Sequence, residues 1–214
     1  MLEKISALRK ELHQYPELSG AEMETSQRIK SFLSHNPPSQ LIENIGGYGL
    51  AAIYSFGEEG PVILIRCELD GLPIEESNLF EYRSKNIGVS HKCGYDGHMA
   101  MVAGLSFWIK EQPYKNGKVI LLFQPAEETG KGAKAVLEDD KFKELKPDYV
   151  FALHNIPGVP LNTVVRVQHN FSSTVQSLEI KLRGKESHAS EPENGINPAL
   201  AIAELIQQFD LLNI

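Results

Sequence analysis

The chain is 214 residues long, 42% hydrophobic and 23% charged, an ordinary globular composition able to bury a core in one or two domains. Its 21 basic and 28 acidic side chains give a net charge of −7 without any basic stripe, which argues against a nucleic-acid surface built on clustered Lys and Arg. With no apolar export segment and no apolar run of about 18 residues, the chain reads as soluble and cytoplasmic. Its two cysteines, Cys67 and Cys93, make no disulfide framework and suit buried fillers or metal ligands.

Leu2, Ile5, Leu8 and Leu12 recur at helical spacing and predict an amphipathic helix running to about His13, stopped by Tyr15-Pro16. Ser19 followed by Glu22 has the spacing of a capping box, opening a second helix with Ile29, Phe32 and Leu33 on its apolar face. Asn36-Pro37-Pro38 ends that helix, and His35 reads as exposed. Residues 41–45 and 50–56, joined through Gly46-Gly47, predict a strand pair. Residues 62–65 form a continuous apolar run of the kind buried on both faces of a sheet, and it leads to Glu68 and Asp70.

A loop over residues 77–90 precedes HKCGYDGHMA, which opens a helix carrying Met101, Val102, Leu105, Trp108 and Ile109. Residues 119–123 predict a second buried strand, ending in Pro125, Ala126, Glu127 and Glu128. A short helix over residues 132–138 follows, then a third apolar run at 149–153 that ends in His154-Asn155. Beyond Asn162 the pattern changes. Residues 164–167, and the alternation of Leu178, Ile180 and Leu182 with Glu179, Lys181 and Arg183, predict half-buried strand, so a domain change is placed near residues 168–174. The last expected element is a helix from about residue 197 to 211, with Asn197 as cap and Pro198 in the first turn.

Three apolar runs thus end in groups that hold metals or protons. In open α/β sheets, ligands bind beyond the carboxyl ends of the strands. Glu127 and Glu128, being adjacent, point in different directions, so one can bind a metal while the other faces a substrate. The plainer alternative is a solvated helix start, where carboxylates are favoured. Cys93, Glu127, Glu128 and His154 together offer sulfur, oxygen and nitrogen donors, all of which zinc accepts. Singly, Cys93 reads as a filler and His154 as a core histidine.

Cys93 and Tyr95 are two apart, which in an extended segment would put both side chains on one side. His91 and His98 flank them as spare or outer ligands, His98 on the first helical turn, while Asp70 and Asp96 are placed to orient ligands. A cysteine hydrolase using Cys93 needs an activated thiolate and an orienting third group, and leaves Glu127, Glu128 and His154 without a role.

The stretches LRKELHQYPELSGAE, IRCELDGLPI, SHKCGYDGHMA, LLFQPAEETGKGA, FALHNIPG and GKESHASEPENG, in that order, resemble the co-catalytic metal aminoacylase and carboxypeptidase family. The resemblance is to its N-acyl-amino-acid amidohydrolase branch, which includes hippurate and auxin-conjugate hydrolases, and it covers the whole length. It implies a zinc-exopeptidase-like α/β fold, with a mixed central sheet flanked by helices. Residues 1–170 would be the N-terminal part of the catalytic domain and residues 171–214 the beginning of an inserted α+β lid or dimerisation domain.

The resemblance further implies hydrolysis of the amide bond of an N-acyl amino acid or small peptide, using two divalent metal ions (zinc, manganese or cobalt). Glu127 would be the general base, Glu128 and His154 metal ligands, Cys93 the thiolate shared between the metals, and His188 a substrate contact in a homodimer. Neither nucleic acid nor membrane is an expected partner.

Tyr95 stands where the family's CGHDGH supplies a histidine ligand. A phenol with a pKa near about 10 is a poor neutral ligand, so a weakened or single-metal site is expected. Glu68, where the family more often has Asp, is a milder departure. Family members are longer, so the chain is expected to stop inside the inserted domain, leaving exposed sheet edges and apolar surface. Two readings therefore stand together: an amidohydrolase, and a catalytically impaired remnant or metal-binding module.

Overall fold

The computed structural model describes residues 1–57, 59–171 and 178–211. The chain divides into two compact units, Met1–Val159 and Pro160–Ile214. The domain change expected near residues 168–174 falls partly on positions outside the described residues.

A five-stranded mixed sheet organises the first unit. Its strands are β1 (Gln40–Ile45), β2 (Gly49–Ser55), β3 (Val62–Glu68), β4 (Lys118–Gln124) and β5 (Tyr149–Ala152), in the order β1-β2-β4-β3-β5. β1 and β2 form the expected hairpin, β2 pairs antiparallel with β4, and β3 runs parallel to both β4 and β5. The central strands are buried on both faces, which is why β4 reads as an unbroken apolar run. Leu50, Ala52, Tyr54, Leu121 and Phe123 enter one core, while Ala51, Ile53, Ile120 and Leu122 enter the other.

Helices α1 (Leu2–Gln14), α2 (Met23–Leu33) and α3 (Tyr95–Glu111) cover the first core through Leu8, Leu12, Ile29, Leu33, Met99 and Val102. The second core is closed by Val136 of α4 (Gly132–Glu138) and Phe142 of α5 (Asp140–Lys143). At the sheet margin, all four residues of β5 are exposed.

The start of α2 differs from the expected capping box. Glu17 takes the capping role, accepting the Glu24 and Thr25 N–H groups at 3.3 and 2.6 Å and the Thr25 hydroxyl at 2.8 Å. Ser19 and Glu22 are released to reach loops at the strand ends.

In the second unit, Lys185 bridges Ile196, a 3₁₀ turn covers Pro192–Asn194, and α6 spans Ala199–Asp210 with Asn197 Oδ1 accepting the Ala199 N–H at 2.9 Å. The strand expected at 178–183, like that at 164–167, does not form among the described residues. Alternation suits a strand only where a neighbour supplies the ladder, and here Leu178, Ile180 and Leu182 all lie exposed. Among the described residues no helix is long and apolar enough to cross a membrane.

Leu121 is 0% exposed at the middle of β4, so Leu121→Ala is expected to lower the unfolding free energy by about 2–5 kcal/mol. Urea denaturation measures this, and an unchanged midpoint would contradict the placement of β4 at the core.

Candidate active site

The parallel register decides where the chemistry collects. Glu68 lies level with Gln124, and Arg66 with Ala152, so the segments leaving β3, β4 and β5 emerge at the same end of the sheet. Asp70 is fully buried there. Its Oδ1 accepts the Glu127 N–H at 3.0 Å, and its Oδ2 accepts the Glu128 N–H at 2.9 Å and the Ser19 hydroxyl at 2.6 Å. One carboxylate thereby fixes the backbone of both acids. The turn after β4 closes tightly because a Cβ on Gly132 would sit 1.7 Å from the Pro125 carbonyl oxygen, and the Gly132 N–H donates to the Ala126 carbonyl at 2.9 Å.

Cys93 and Tyr95 do not lie on an extended segment. Gly94 turns the chain at φ 90° and Tyr95 is the first residue of α3, yet the thiol and phenol remain close enough to influence one another's protonation. A side chain at Gly94 would collide with Asn155 Oδ1 at 2.7 Å, so the glycine brings this turn against the end of β5. The Tyr95 hydroxyl donates to Glu127 Oε2 at 2.5 Å. Cys93 Sγ lies 3.5 Å from His154 Nε2, and the Tyr95 and His154 rings meet edge-on at 6.1 Å.

The electrostatics of this cluster share one sign. Burial pushes the Tyr95 phenol well up, helped by Cys93 and Glu127, so it is a neutral donor. Burial also pushes Glu128 up, reinforced by the charges of Glu127 and Asp70. Cys93 is raised by burial and by Glu128 and Glu127, against the neighbouring Tyr95 phenol, which favours the thiolate. Glu128 Oε1 is enclosed with no hydrogen-bond partner.

A cation among these groups would invert each of those shifts, and a thiol, a carboxylate with a bare oxygen and an imidazole are suitable donors for a divalent ion. The donor chemistry fits such an ion. Among the described residues, however, no three His, Cys, Asp or Glu side chains are placed to enclose one together.

His98 Nδ1 donates to Glu68 Oε2 at 2.8 Å, and Arg66 pairs with the same carboxylate through its other oxygen. His98 Nε2 lies 2.7 Å from Asn155 Oδ1 and 3.2 Å from the Asn155 backbone nitrogen, fixing the residue after His154. Asp96 turns away from this cluster toward α1, meeting Arg9 Nε at 3.0 Å and His13 Nδ1 at 2.9 Å. It joins α1 to α3.

Burial alone would raise Asp96, but His13, His91 and Arg9 outweigh it and hold it low. His13 Nε2 continues to Glu76 at 3.1 Å, which Lys92 and the Ser84 N–H also bind. His91 is 4% exposed with neither ring nitrogen partnered, and burial depresses it to about 4. His188 belongs to the second unit, exposed, its Nδ1 accepting the Ser190 N–H at 3.2 Å.

Three participants escape a reading of strand ends: His13, Glu22 and Glu76. Glu22 sits inside YPELSGAE, but its spacing from Ser19 is that of a helix cap, and this masks its contact with a loop 104 residues away.

Three parallel strands delivering acids and an imidazole to one end of a mixed sheet, with a thiol supplied by the loop before the third helix, define an α/β scaffold of the metallopeptidase type. The chain belongs to peptidase family M20/M25/M40, whose family model matches residues 64–209. It is 40% identical to N-acetyl-L-cysteine deacetylase of Bacillus subtilis (strain 168) over 207 residues, 96% of this chain and 49% of the relative. N-acetyldiaminopimelate deacetylase of Geobacillus thermodenitrificans (strain NG80-2) is 33% identical over 203 residues, 95% of this chain and 54% of the relative.

The crystal structure of the Bacillus subtilis YXEP protein, described as a dinuclear metal binding peptidase from the M20 family, aligns with a TM-score of 0.67 at 34% identity. It covers 74% of this chain and 44% of its own. The chain spans about half the length of the curated relatives it matches.

The His13 network also sets a pH dependence. Its hydrogen bond with Asp96 is the main cause raising His13 above its ordinary 6.5. Such a group contributes stability that is complete below 6.5 and lost as pH rises through the folded-state value. Glu76, where burial is outweighed by the Ser84 N–H, Lys92, Asn78 and His13, is held at about 2 against an ordinary 4.5, so its contribution is complete above 4.5 and is lost as pH falls from there to about 2. The urea midpoint is therefore expected to decline as pH rises above 6.5, with a shallower decline in His13→Gln. Equal slopes would remove His13 as the cause.

Proposed function

We propose that the whole protein is a metal-dependent amidohydrolase cleaving the amide bond of N-acyl amino acids or small peptides, with Glu127 as general base. The observation that carries this reading is the pinning of Glu127 and Glu128 by buried Asp70 beside the Cys93–His154 pair. The deacetylase names of the relatives agree with an acylated amino acid as substrate.

Cys93, Glu128 and His154, whose side chains do not already converge on one point, are the residues that would hold divalent metal, zinc, manganese or cobalt, and the ion would there supply acidification of water and polarisation of the acyl carbonyl. Glu127 takes the proton from the attacking water and returns it to the leaving amine. Tyr95 occupies Oε2 of that carboxylate, which leaves Oε1 for the proton and restrains the side chain's rotation. His98 and Asn155 hold the main chain beside His154.

Residues 1–170 are assigned here to a catalytic domain and 171–214 to the beginning of a lid or dimerisation domain, with His188 contributing a substrate contact in a homodimer. The free thiols Cys67 and Cys93 suit a reducing compartment, and the cytoplasm is the proposed location.

A second reading, a metal-binding module with impaired catalysis, is favoured by one observation: Tyr95 is a neutral hydrogen-bond donor where a ligand is expected. Metal content and hydrolysis of a panel of N-acetyl amino acids by the whole protein separate the two. Glu127→Gln is expected to lower the rate by about 10²–10⁴-fold with bound metal retained. Metal retained by a wild-type protein that hydrolyses nothing would favour the module. In Tyr95→His, metal affinity or stoichiometry is expected to rise, and a titration curve identical to wild type would clear Tyr95 of blame.

A further inference from the structure

The turn that presents Glu127 is held from two sides, and Asp70 accounts for only one. Ala126, immediately before it, has φ 51°, the left-handed region that residues bearing a Cβ disfavour. Alanine has neither glycine's freedom nor a polar side chain with which to stabilise this conformation. Its N–H is instead bound by Glu22 Oε1 at 2.8 Å, and the same oxygen accepts the Gly20 N–H at 2.9 Å. Glu22 is 0% exposed, and its Oε2 is buried with no partner. Enclosing a carboxylate with one oxygen bare is costly. A charged acceptor binds an N–H about twice as strongly as a neutral one, which is what a disfavoured backbone conformation requires.

We propose that Glu22 is a positioning residue for the amide-hydrolysis site. Acting through the Ala126 N–H, it holds the left-handed kink from which Glu127 is delivered to Tyr95 and Glu128 to the vicinity of Cys93. The proposal rests on the functional reading above, and it goes beyond that reading by assigning a role to the N-terminal segment, which supplies none of the proposed base or metal ligands.

The test combines amide hydrogen exchange at Ala126, Glu127 and Glu128 with steady-state kinetics on the whole, metal-loaded protein. Glu22→Ala is expected to speed exchange at Ala126 by about 10-fold or more and to lower kcat by a similar factor, with KM within about 2-fold. Glu22→Gln, which keeps a carbonyl acceptor, is expected to recover to within about 3-fold of wild type. Glu22→Met preserves volume without an acceptor and replaces Glu22→Ala if that variant does not fold.

Ala126→Gly supplies the decisive background, because glycine adopts the kink unaided. There the kcat loss from Glu22→Ala is expected to shrink to about 3-fold or less. An equal loss in both backgrounds, or a lowered Tm with kcat and exchange unchanged, would overturn the proposal. If the wild-type protein hydrolyses no N-acyl amino acid, the functional reading falls, while exchange at Ala126 still decides whether Glu22 holds the turn.

Discussion

The parallel pairing of β3 with β4 on one side and β5 on the other is the constraint on which the candidate site depends. An antiparallel neighbour would have sent its carboxyl end to the opposite rim. Because all three strands run the same way and end at similar levels, Asp70, Glu127, Glu128 and His154 leave the sheet together. The helix that follows the loop bearing Cys93 packs on β3 and β4 and brings its first turn to the same rim. Buried Asp70 then converts proximity into fixed geometry, since it takes two consecutive amides that would otherwise be free to rotate the acidic pair.

Strands and helices of the first unit were legible because their periodicities are unambiguous. β4 is an uninterrupted apolar run since both faces are covered, and α1 carries a narrow apolar stripe since only one side is. Long-range polar contacts were not legible. Ser19 and Glu22 satisfy a local pattern that competes with their tertiary roles, and nothing in a linear string says that Glu17 takes over the cap. The turn at Gly94 is not legible for a similar reason: side-chain spacing alone reveals neither its positive φ nor the close approach of Asn155 that excludes a side chain there. In the second unit, alternation at 178–183 suggested a strand, but periodicity describes only which face could be buried and does not supply a neighbour.

Tyr95 gives the cluster a character that its residue types alone do not. A histidine there would be a second nitrogen donor; the phenol instead donates to Glu127, in a setting where burial and neighbouring acidic groups keep its proton on. Thiol, phenol and carboxylate are all displaced toward their protonated forms. Each would pass to its charged form more readily once positive charge entered, so protonation and ion capture at this rim are linked.

The exposed margin of the sheet divides the cluster by depth. Asp70 belongs to the interior and yields only when the core opens, whereas His154 hangs from β5, a four-residue strand paired on one side and exposed throughout. The two acids follow a strand paired on each side, and the imidazole follows one with a single described neighbour. The cluster is thus tied to the described sheet unequally, and the Cys93–His154 contact is a second attachment for the imidazole, made to the loop before the third helix.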